Sequence, residues 1–135
     1  MAGSSTDAAT AGTGPGTPDR TYGVWMIRHI LLVSLADEPA AAARLQDAFE
    51  RIGRVAARLP GVLSCSYGPS KSPEQLERGY THGLVIDFAD ASALRGYAVD
   101  PEHVAAGGQI AGAATGGVDG LLVVDLQIGT ADTTA

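Results

Sequence analysis

Residues 62–88, VLSCSYGPSKSPEQLERGYTHGLVIDF, decide the fold because two strand patterns follow one another there without a helix between them. Val62 to Tyr67 is an apolar run of strand length, and Tyr80 to Phe88 is rich in branched and aromatic residues. Gly, Pro and Ser are frequent in the stretch between the two, which is typical of a loop. We therefore predict two successive strands joined by a polar loop.

Upstream of this segment, the sequence indicates a strand followed by a helix. Residues 27–35, IRHILLVSL, are rich in branched apolar side chains and too few for a typical helix, so we predict a strand. Residues 37–39, Asp-Glu-Pro, indicate a helix start, and Pro60-Gly61 indicates its end. Between these limits one apolar stripe recurs at three- and four-residue spacing: Leu45, Ala48, Phe49, Ile52, Val55, Ala56 and Leu59.

Downstream, the pattern indicates a second helical region and a last strand. Asp90 can cap a short helix that runs through Tyr97, and Asp100 can cap its continuation. Residues 121–128, LLVVDLQI, form the closing strand. The order β-α-β-β-α-β contains two split βαβ units with right-handed crossovers. It predicts an α+β, ferredoxin-like fold, with a four-stranded antiparallel sheet and both helices on one face.

Such a fold leaves one face of the sheet without helices, and here that face is apolar. An extended apolar face is rarely left in water. A second copy of the chain, stacked sheet on sheet about a two-fold axis, is the simplest cover, so we predict a homodimer. The first and last strands contribute these residues to that face: Ile30, Leu32, Leu122, Val124, Leu126 and Ile128.

The composition excludes several kinds of partner. The formal net charge is -6, and only nine Lys and Arg are present, so a nucleic-acid-binding surface is not expected. The first 25 residues have neither an early positive charge nor an apolar core, so we expect no membrane span there and no secretory signal. The single cysteine, Cys65, lies in an apolar strand pattern and predicts a buried, reduced thiol in the cytoplasm, with a reactive nucleophile as the less favoured alternative.

Both ends of the chain differ in composition from the part between them. Residues 1–25 are small, polar and rich in Gly and Pro, which predicts a disordered tail. Two explanations stay open for it: a natural leader, or a start placed upstream of the true start at Met26. Residues 129–135 predict a similar disordered end. One folded domain is therefore expected over residues 26–128.

Five stretches of this domain together resemble the stress-response A/B barrel (Dabb) family of dimeric α/β barrels. They are MIRHILLVSL (26–35), LPGVLSCSYG (59–68), GYTHGLVIDF (79–88), YAVDPEHV (97–104) and LLVVDLQI (121–128). The resemblance covers nearly all of the domain, and its most specific parts are the third stretch and the Tyr-x-x-x-Pro-x-His spacing. It implies a ferredoxin-like protomer and a dimer whose two sheets close a barrel.

The resemblance also implies a site. A plant cyclase of the family closes a ring in a linear polyketide by an aldol-type reaction without metal or organic cofactor, using a tyrosine and a histidine six residues later. Tyr97 and His103 fall on those positions. His29 and His82 match two further histidines of the cyclase and are therefore candidates for lining a substrate pocket.

The chain departs from that cyclase in two places. Asp100 stands where the cyclase has a histidine. Residues 104–120 hold six glycines where a bulky, apolar helix is expected, and each interior glycine weakens a helix by up to about 1 kcal/mol relative to alanine. The wall of the pocket is therefore predicted to be mobile or shortened at this point.

The local pattern gives His103 a plausible chemical role. With Asp100 as the cap and Pro101 as the first helical residue, His103 lies in the first turn, where the helix dipole disfavours its protonated form by about 0.3–1 kcal/mol. Glu102 acts in the opposite direction, so a neutral imidazole that can accept a proton is expected near neutral pH. The hydroxyl of Tyr97 could then polarise a substrate carbonyl. The alternative is that both are ordinary packing or surface residues.

No cofactor or metal is expected from the pattern. If the first and third strands pair antiparallel, His29 and His82 share a face but lie four residues apart, about 13 Å, which is too far for a common metal ion. A hydrogen-bonded position under the helices is the alternative to pocket lining for both. The sequence contains no phosphate-binding glycine loop and no nucleophile elbow of the Gly-x-Ser-x-Gly type.

Three functional hypotheses follow. The first is a cofactor-independent enzyme that acts on a polyketide-like poly-carbonyl substrate by an aldol-type ring closure, with His103 as base and Tyr97 as donor. The second is a non-catalytic stress-response or assembly protein, and the third is a cofactor-free monooxygenase, an activity known among related dimeric α/β barrels.

Overall fold

A computed structural model of the chain describes residues 22–131. The predicted order of strands and helices is confirmed, and the second helical region consists of two helices separated at Asp100. A short 3-10 turn, Gly117–Gly120, precedes the last strand. The elements are β1 (Tyr22–Ser34), α1 (Ala41–Arg58), β2 (Val62–Pro69), β3 (Tyr80–Phe88), α2 (Ala91–Val99), α3 (Pro101–Ala113) and β4 (Leu121–Ala131).

The four strands form one sheet in the order β2-β3-β1-β4. Strand β3 lies in the interior and is antiparallel to both of its neighbours, β1 and β2. Phe88, at the end of β3, is opposite Ile27 on one side and Val62 on the other. The predicted ferredoxin-like α+β fold is therefore confirmed.

The core lies between the sheet and the helices. Alternate residues of β1 and β3 face the helices, because successive side chains of a strand point to opposite faces. Helix α1 buries the predicted apolar stripe except Leu59, which follows the helix and is partly buried, and α3 adds small and branched residues beside it. Each fully buried large side chain contributes about 1.5–3 kcal/mol to folding. The largest of the fully buried side chains are Phe49, Phe88, Leu45, Ile52, Leu84, Ile86, Val33 and Val55.

The opposite face of the sheet is open in the protomer. Leu122, Val124 and Leu126 of β4 are 40%, 38% and 43% exposed, as the sequence predicts for this face. Arg28 and Asp87 form a bidentate ion pair across β1 and β3, with N···O distances of 2.8 and 3.0 Å. The Arg28 guanidinium lowers the pKa of Asp87. Arg28 and Asp87 are therefore already paired within the protomer.

The described residues form two compact units. Residues 27–126 make the larger unit, which holds the core and the candidate site. The other unit includes the outer ends of β1 and β4, where Gly129 lies against the Trp25 ring, so that a Cβ on this glycine would be 3.1–3.2 Å from three ring atoms. Strand β1 begins four residues before the predicted domain start. Most of the two predicted tails, residues 1–21 and 132–135, lies outside the described residues.

Helix α3 is not shortened by its glycines, so the shortened alternative was wrong, and the mobile alternative stays a prediction. The helix runs for 13 residues from Pro101 to Ala113. Its side chain Gln109 donates to the Arg44 carbonyl at 3.1 Å and to the Asp47 carboxylate at 2.7 Å, and it accepts from Arg51 at 2.8 Å. These contacts with α1, together with burial of small side chains between the two helices, offset the low helix propensity of glycine. No helix in the described part of the chain is both long and apolar enough to cross a bilayer.

Replacing Gly108 by alanine is expected to raise the free energy of unfolding by about 0.5–1 kcal/mol. A Cβ at this position in the middle of α3 meets no atom within 4 Å, so only the gain in helix propensity remains. Gly61→Ala is the matched comparison and should lower the free energy of unfolding. Its φ is +81°, and the new Cβ would lie 2.6 Å from the Ala93 Cβ. Chemical denaturation of both variants measures the two effects, and a loss of stability in Gly108→Ala would contradict the expectation.

Candidate active site

Three of the four predicted site residues come together at one end of the sheet, under α2 and α3. The Tyr97 ring of α2 lies against the His103 ring of α3, with centroids 4.0 Å apart. His29 of β1 is 5.6 Å from Tyr97, and Phe88 of β3 is 5.2 Å from it. We call these four residues the aromatic cluster. The register of β1 on β3 brings His29 and Phe88 close together. Phe88 is opposite Ile27, which lies two residues before His29 on β1.

His82 lies elsewhere. It is opposite Val33, and the residue opposite His29 is Ile86, four positions further along β3. That spacing corresponds to about 13 Å, in agreement with the predicted distance. The His82 ring is 3.0 Å from the Thr81 hydroxyl, and it borders a hollow of about 460 Å³ at the far end of the strand. The structure therefore does not bring His82 into the aromatic cluster.

The junction of α2 and α3 fixes the positions of Tyr97 and His103, which we call the central pair. The Asp100 backbone N–H donates to the Tyr97 carbonyl at 3.2 Å, which ends α2. Its carboxylate accepts from the backbone N–H groups of Glu102 and His103, both at 3.1 Å, which begins α3. Pro101 occupies the start of the helix, where its missing N–H has no cost. The predicted cap at Asp100 is confirmed, as is the one at Asp90.

The contacts of the His103 ring select one tautomer. Its Nδ1 is 3.3 Å from the Ala98 carbonyl oxygen, which can only accept, so Nδ1 carries the proton and the neutral ring has a free lone pair on Nε2. Burial lowers the pKa of His103, and the nearby His29 lowers it further. Hydrogen bonds to the backbone of Ala98 and Tyr97 and the charge of Asp100 raise the pKa of His103 without reversing the result. The expected neutral imidazole is supported, although burial is the main cause.

Tyr97 is a buried hydrogen-bond donor. Its side chain is 3% exposed, and burial raises its pKa well above the usual value of 10.0. The nearby acidic groups Cys65 and Asp125 raise the pKa of Tyr97 further, because their ionised forms disfavour a tyrosinate. The hydroxyl therefore keeps its proton at every physiological pH. It can donate a hydrogen bond to a developing oxyanion but does not act as a base.

Asp125 of β4 is a site residue that the sequence reading missed. Its carboxylate is 2.7 Å from Nδ1 of His29, whose side chain is only 12% exposed. A carboxylate acceptor requires that Nδ1 donate, which orients the His29 ring beside Tyr97. The signal was available: Asp125 is a lone charge within the apolar strand LLVVDLQI. Phe88 was also missed, because its pattern is that of any core residue.

Tyr97 lines a cavity of about 270 Å³ between the end of α1 and α2, and neither His103 nor His29 is among the residues that line it. Its walls are mostly apolar, with two polar side chains, Asp90 and Ser92, at the start of α2. Within the described range of residues, no group of three His, Cys, Asp or Glu side chains is placed to hold a metal ion. The other lining residues are Leu59, Pro60, Gly61, Ala93 and Gly96.

Comparison with known proteins gives consistent matches. The profile of the family described as "Stress responsive A/B Barrel Domain" matches residues 27–128. Olivetolic acid cyclase from Cannabis sativa is 22% identical over 81 residues, which cover 60% of this chain and 79% of the cyclase. A dimeric ferredoxin-like protein of unknown function from Jannaschia sp. CCS1 is 35% identical, with a TM-score of 0.73, and the match covers 76% of this chain and 99% of that one.

A more distant match is a hydroxynitrile lyase from Passiflora edulis. It is 15% identical with a TM-score of 0.65, over 82% of this chain and 96% of the lyase. At this identity the match shows a common fold. The dimeric state and the ferredoxin-like fold are properties described for the Jannaschia protein.

Proposed function

The chain belongs to the stress responsive A/B barrel family, and from that premise we propose that it is a cofactor-independent enzyme acting on a small poly-carbonyl substrate, as an aldol-type cyclase does. One observation carries the proposal. The ring of a neutral, half-buried His103, with its lone pair on Nε2, lies against the Tyr97 ring at a centroid distance of 4.0 Å, and the Tyr97 hydroxyl stays protonated. A base and an oxyanion donor side by side are sufficient for proton abstraction next to a carbonyl.

The reaction would proceed in balanced proton-transfer steps. Nε2 of His103 takes a proton from a carbon between two carbonyl groups, and the electron pair of the broken C–H bond forms an enolate. The Tyr97 hydroxyl donates a hydrogen bond to the enolate oxygen as charge develops there. The enolate carbon then attacks a second carbonyl of the same molecule and forms the C–C bond. The new alkoxide takes the proton back from His103. The hydroxyl group then leaves with a proton from the neighbouring carbon, which releases water and forms a C=C bond in the closed ring.

The surroundings of the pair favour this chemistry. Burial weakens the screening of charge by solvent, so a hydrogen bond from Tyr97 to an oxyanion is stronger there than in water. We propose that His29, oriented by Asp125, lines the pocket beside the pair. His82 stays a proposed lining residue for a substrate that extends about 13 Å along β3.

The direct test is binding to the histidine rings. A two-dimensional NMR titration of the His side chains with aromatic polyketide mimics should shift the His103 resonances most, those of His29 less, and those of His82 least. Chemical-shift changes restricted to His82, or none at any histidine, would refute the proposed site. A linear poly-β-keto thioester is the corresponding substrate for a turnover assay, with ring formation followed by absorbance.

A non-catalytic stress-response or assembly role is the second candidate. The observation that favours it is the packing of the central pair: the Tyr97 ring is 3% exposed and in contact with His103, as in an ordinary core. On this hypothesis no mimic binds, and the two residues contribute only to stability. A cofactor-free monooxygenase would instead consume oxygen with a quinol substrate, which an oxygen electrode measures. The single free thiol, Cys65, is consistent with our proposal of a cytoplasmic location.

We propose that the chain is a homodimer that covers the open face of its sheet. Leu126→Glu places a charge on that face, where Leu126 is 43% exposed in the protomer, and should convert the dimer to a monomer in sedimentation velocity. Leu76→Glu is the matched control. Leu76 is 59% exposed in the loop between β2 and β3, and its replacement should leave the dimer intact. A dimer that persists in Leu126→Glu would show that the open face is not the interface.

A further inference from the structure

We propose that Arg58 is a positioning residue for the His103 base and acts through the carboxylate of Asp100. The catalytic meaning of this assignment rests on the proposed function, but the arrangement itself does not. Arg58 is the last residue of α1, and Asp100 separates α2 from α3. The contact therefore joins α1 to the turn on which both members of the central pair are mounted.

Asp100 has an unusual environment. Among the residues that the structure describes, Asp100 is the one buried residue with a polar or charged side chain, and it is 9% exposed. Burial by itself would raise the pKa of Asp100, but the hydrogen bonds from the His103 backbone and from Arg58 outweigh burial and lower it. The group is therefore a charged carboxylate at neutral pH. A buried charge of this kind requires a partner.

Arg58 is that partner. Its Nη2 lies 3.0 Å from Oδ1 and 2.9 Å from Oδ2 of Asp100, so both carboxylate oxygens are engaged. Glu102 is a second and looser acceptor, 3.7 Å from the same nitrogen. Arg58 and Asp100 are 42 positions apart in the sequence; Arg58 ends α1, and Asp100 caps α3. Removing Arg58 would leave the Asp100 charge without its counter-ion.

The position of the His103 ring depends on this carboxylate. Oδ2 of Asp100 accepts from the His103 backbone N–H, and the ring itself is held by the Ala98 carbonyl on the other side of the turn. The Asp100 backbone N–H is bonded to Tyr97. One residue thus sets both the start of α3 and the end of α2, and a rotation of its carboxylate would move His103 relative to Tyr97.

Arg58 also affects the charge that His103 experiences. The charged or titratable groups that act on the ring are His29, whose partner is Asp125, and Asp100. Cys65 and Asp125 act on the neighbouring Tyr97, and Glu102 lies near Arg58. Asp100 favours the protonated imidazole, and Arg58 offsets that charge. Loss of Arg58 should therefore raise the pKa of His103, and loss of the Asp100 charge should lower it. A purely structural cap would give no such opposite shifts.

The experiment compares the NMR titration of the His103 ring in the full-length protein with that in four variants. Arg58→Gln removes the counter-ion, and Asp100→Asn keeps an amide that can still cap the helix. Arg58→Lys restores the charge without the planar fork. Arg54→Gln is the control, because Arg54 is exposed one turn earlier on the same helix. Circular dichroism and thermal unfolding establish that each variant is folded.

The expected results are a higher His103 pKa in Arg58→Gln, a lower one in Asp100→Asn, and values near wild type in Arg58→Lys and Arg54→Gln. If Arg58→Gln unfolds, the comparison of Asp100→Asn with Arg58→Lys still decides. An unchanged His103 pKa in both Arg58→Gln and Asp100→Asn, or a shift equal to that in Arg54→Gln, would overturn the proposal.

Turnover separates this proposal from the proposed function. With a verified substrate, Arg58→Gln should lose about tenfold in kcat below neutral pH, recover part of the loss at higher pH, and show little change in KM, because the base and not binding is affected. One outcome is that the His103 pKa shifts in opposite directions in Arg58→Gln and Asp100→Asn, while a variant that lacks His103 keeps full turnover. This outcome would refute the enzyme role and leave the positioning contact intact. The other outcome is that the His103 pKa is unchanged in Arg58→Gln and Asp100→Asn, while a variant that lacks His103 loses turnover. This outcome would refute the positioning contact alone.

Discussion

His103→Gln is expected to lower kcat by about 10²- to 10⁴-fold on a verified poly-carbonyl substrate, because a positioned general base contributes about that much. Glutamine keeps a side chain of similar size against Tyr97 but has no lone pair of comparable basicity. The protein should remain folded, since the His103 backbone N–H still bonds to Asp100. Steady-state kinetics measure the effect, with Arg54→Gln as the control that should retain turnover, because Arg54 is exposed on α1.

The pH dependence gives the same assignment an independent readout. Burial places the pKa of His103 below its usual value of 6.5, so the ring is neutral at pH 7 and can accept a proton. As the pH falls below about 6.5 toward this lowered pKa, the base becomes protonated and kcat should fall. Tyr97→Phe should lower kcat without moving this acid limb. Wild-type turnover in His103→Gln, or an acid limb that moves in Tyr97→Phe, would contradict the assigned roles.

The largest expected effect on stability is that of Phe49→Ala, which should lower the free energy of unfolding by about 3–5 kcal/mol. Phe49 is 1% exposed in the stripe of α1, and its ring centroid is 5.5 Å from that of Tyr67. Its removal leaves a cavity that the surrounding sheet and helices fill only in part. Total stabilities of single domains are about 5–15 kcal/mol, so the loss is a large fraction of the whole.

Urea denaturation followed by circular dichroism measures this loss. Leu76→Ala is the matched control: the residue is 59% exposed, and its truncation should change stability by less than about 0.5 kcal/mol. A loss below about 1 kcal/mol in Phe49→Ala would mean that the α1 stripe is not packed on the sheet as described.

The order of the elements could be predicted from the sequence because local signals determine it. The apolar stripe of α1 repeats with the helical period, and it is the face that the structure buries. Asp90 and Asp100 cap their helices with side-chain bonds to nearby backbone groups, which is a short-range property. The first strand was underestimated, because Tyr22 to Met26 lack the dense run of branched residues that follows.

The candidate site was predictable only in part. Tyr97 and His103 came from a motif seven residues long, and their ring contact follows from the cap at Asp100 between them. Asp125 was missed because its role depends on His29, which is 96 positions away. The pocket role suggested for His82 also depends on strand register, which places this residue at the other end of β3.

By itself, the sequence determined the succession of strands and helices, the two caps, and the apolar open face of the sheet. Each of these features follows from the spacing of residue types along short stretches of the chain. Only the tertiary structure decided that Arg58 meets Asp100, that Asp125 orients His29, and that α3 stays helical through its glycines. Those outcomes depend on contacts between residues distant in sequence, whose energies are set by register and packing and leave no periodic trace in the chain.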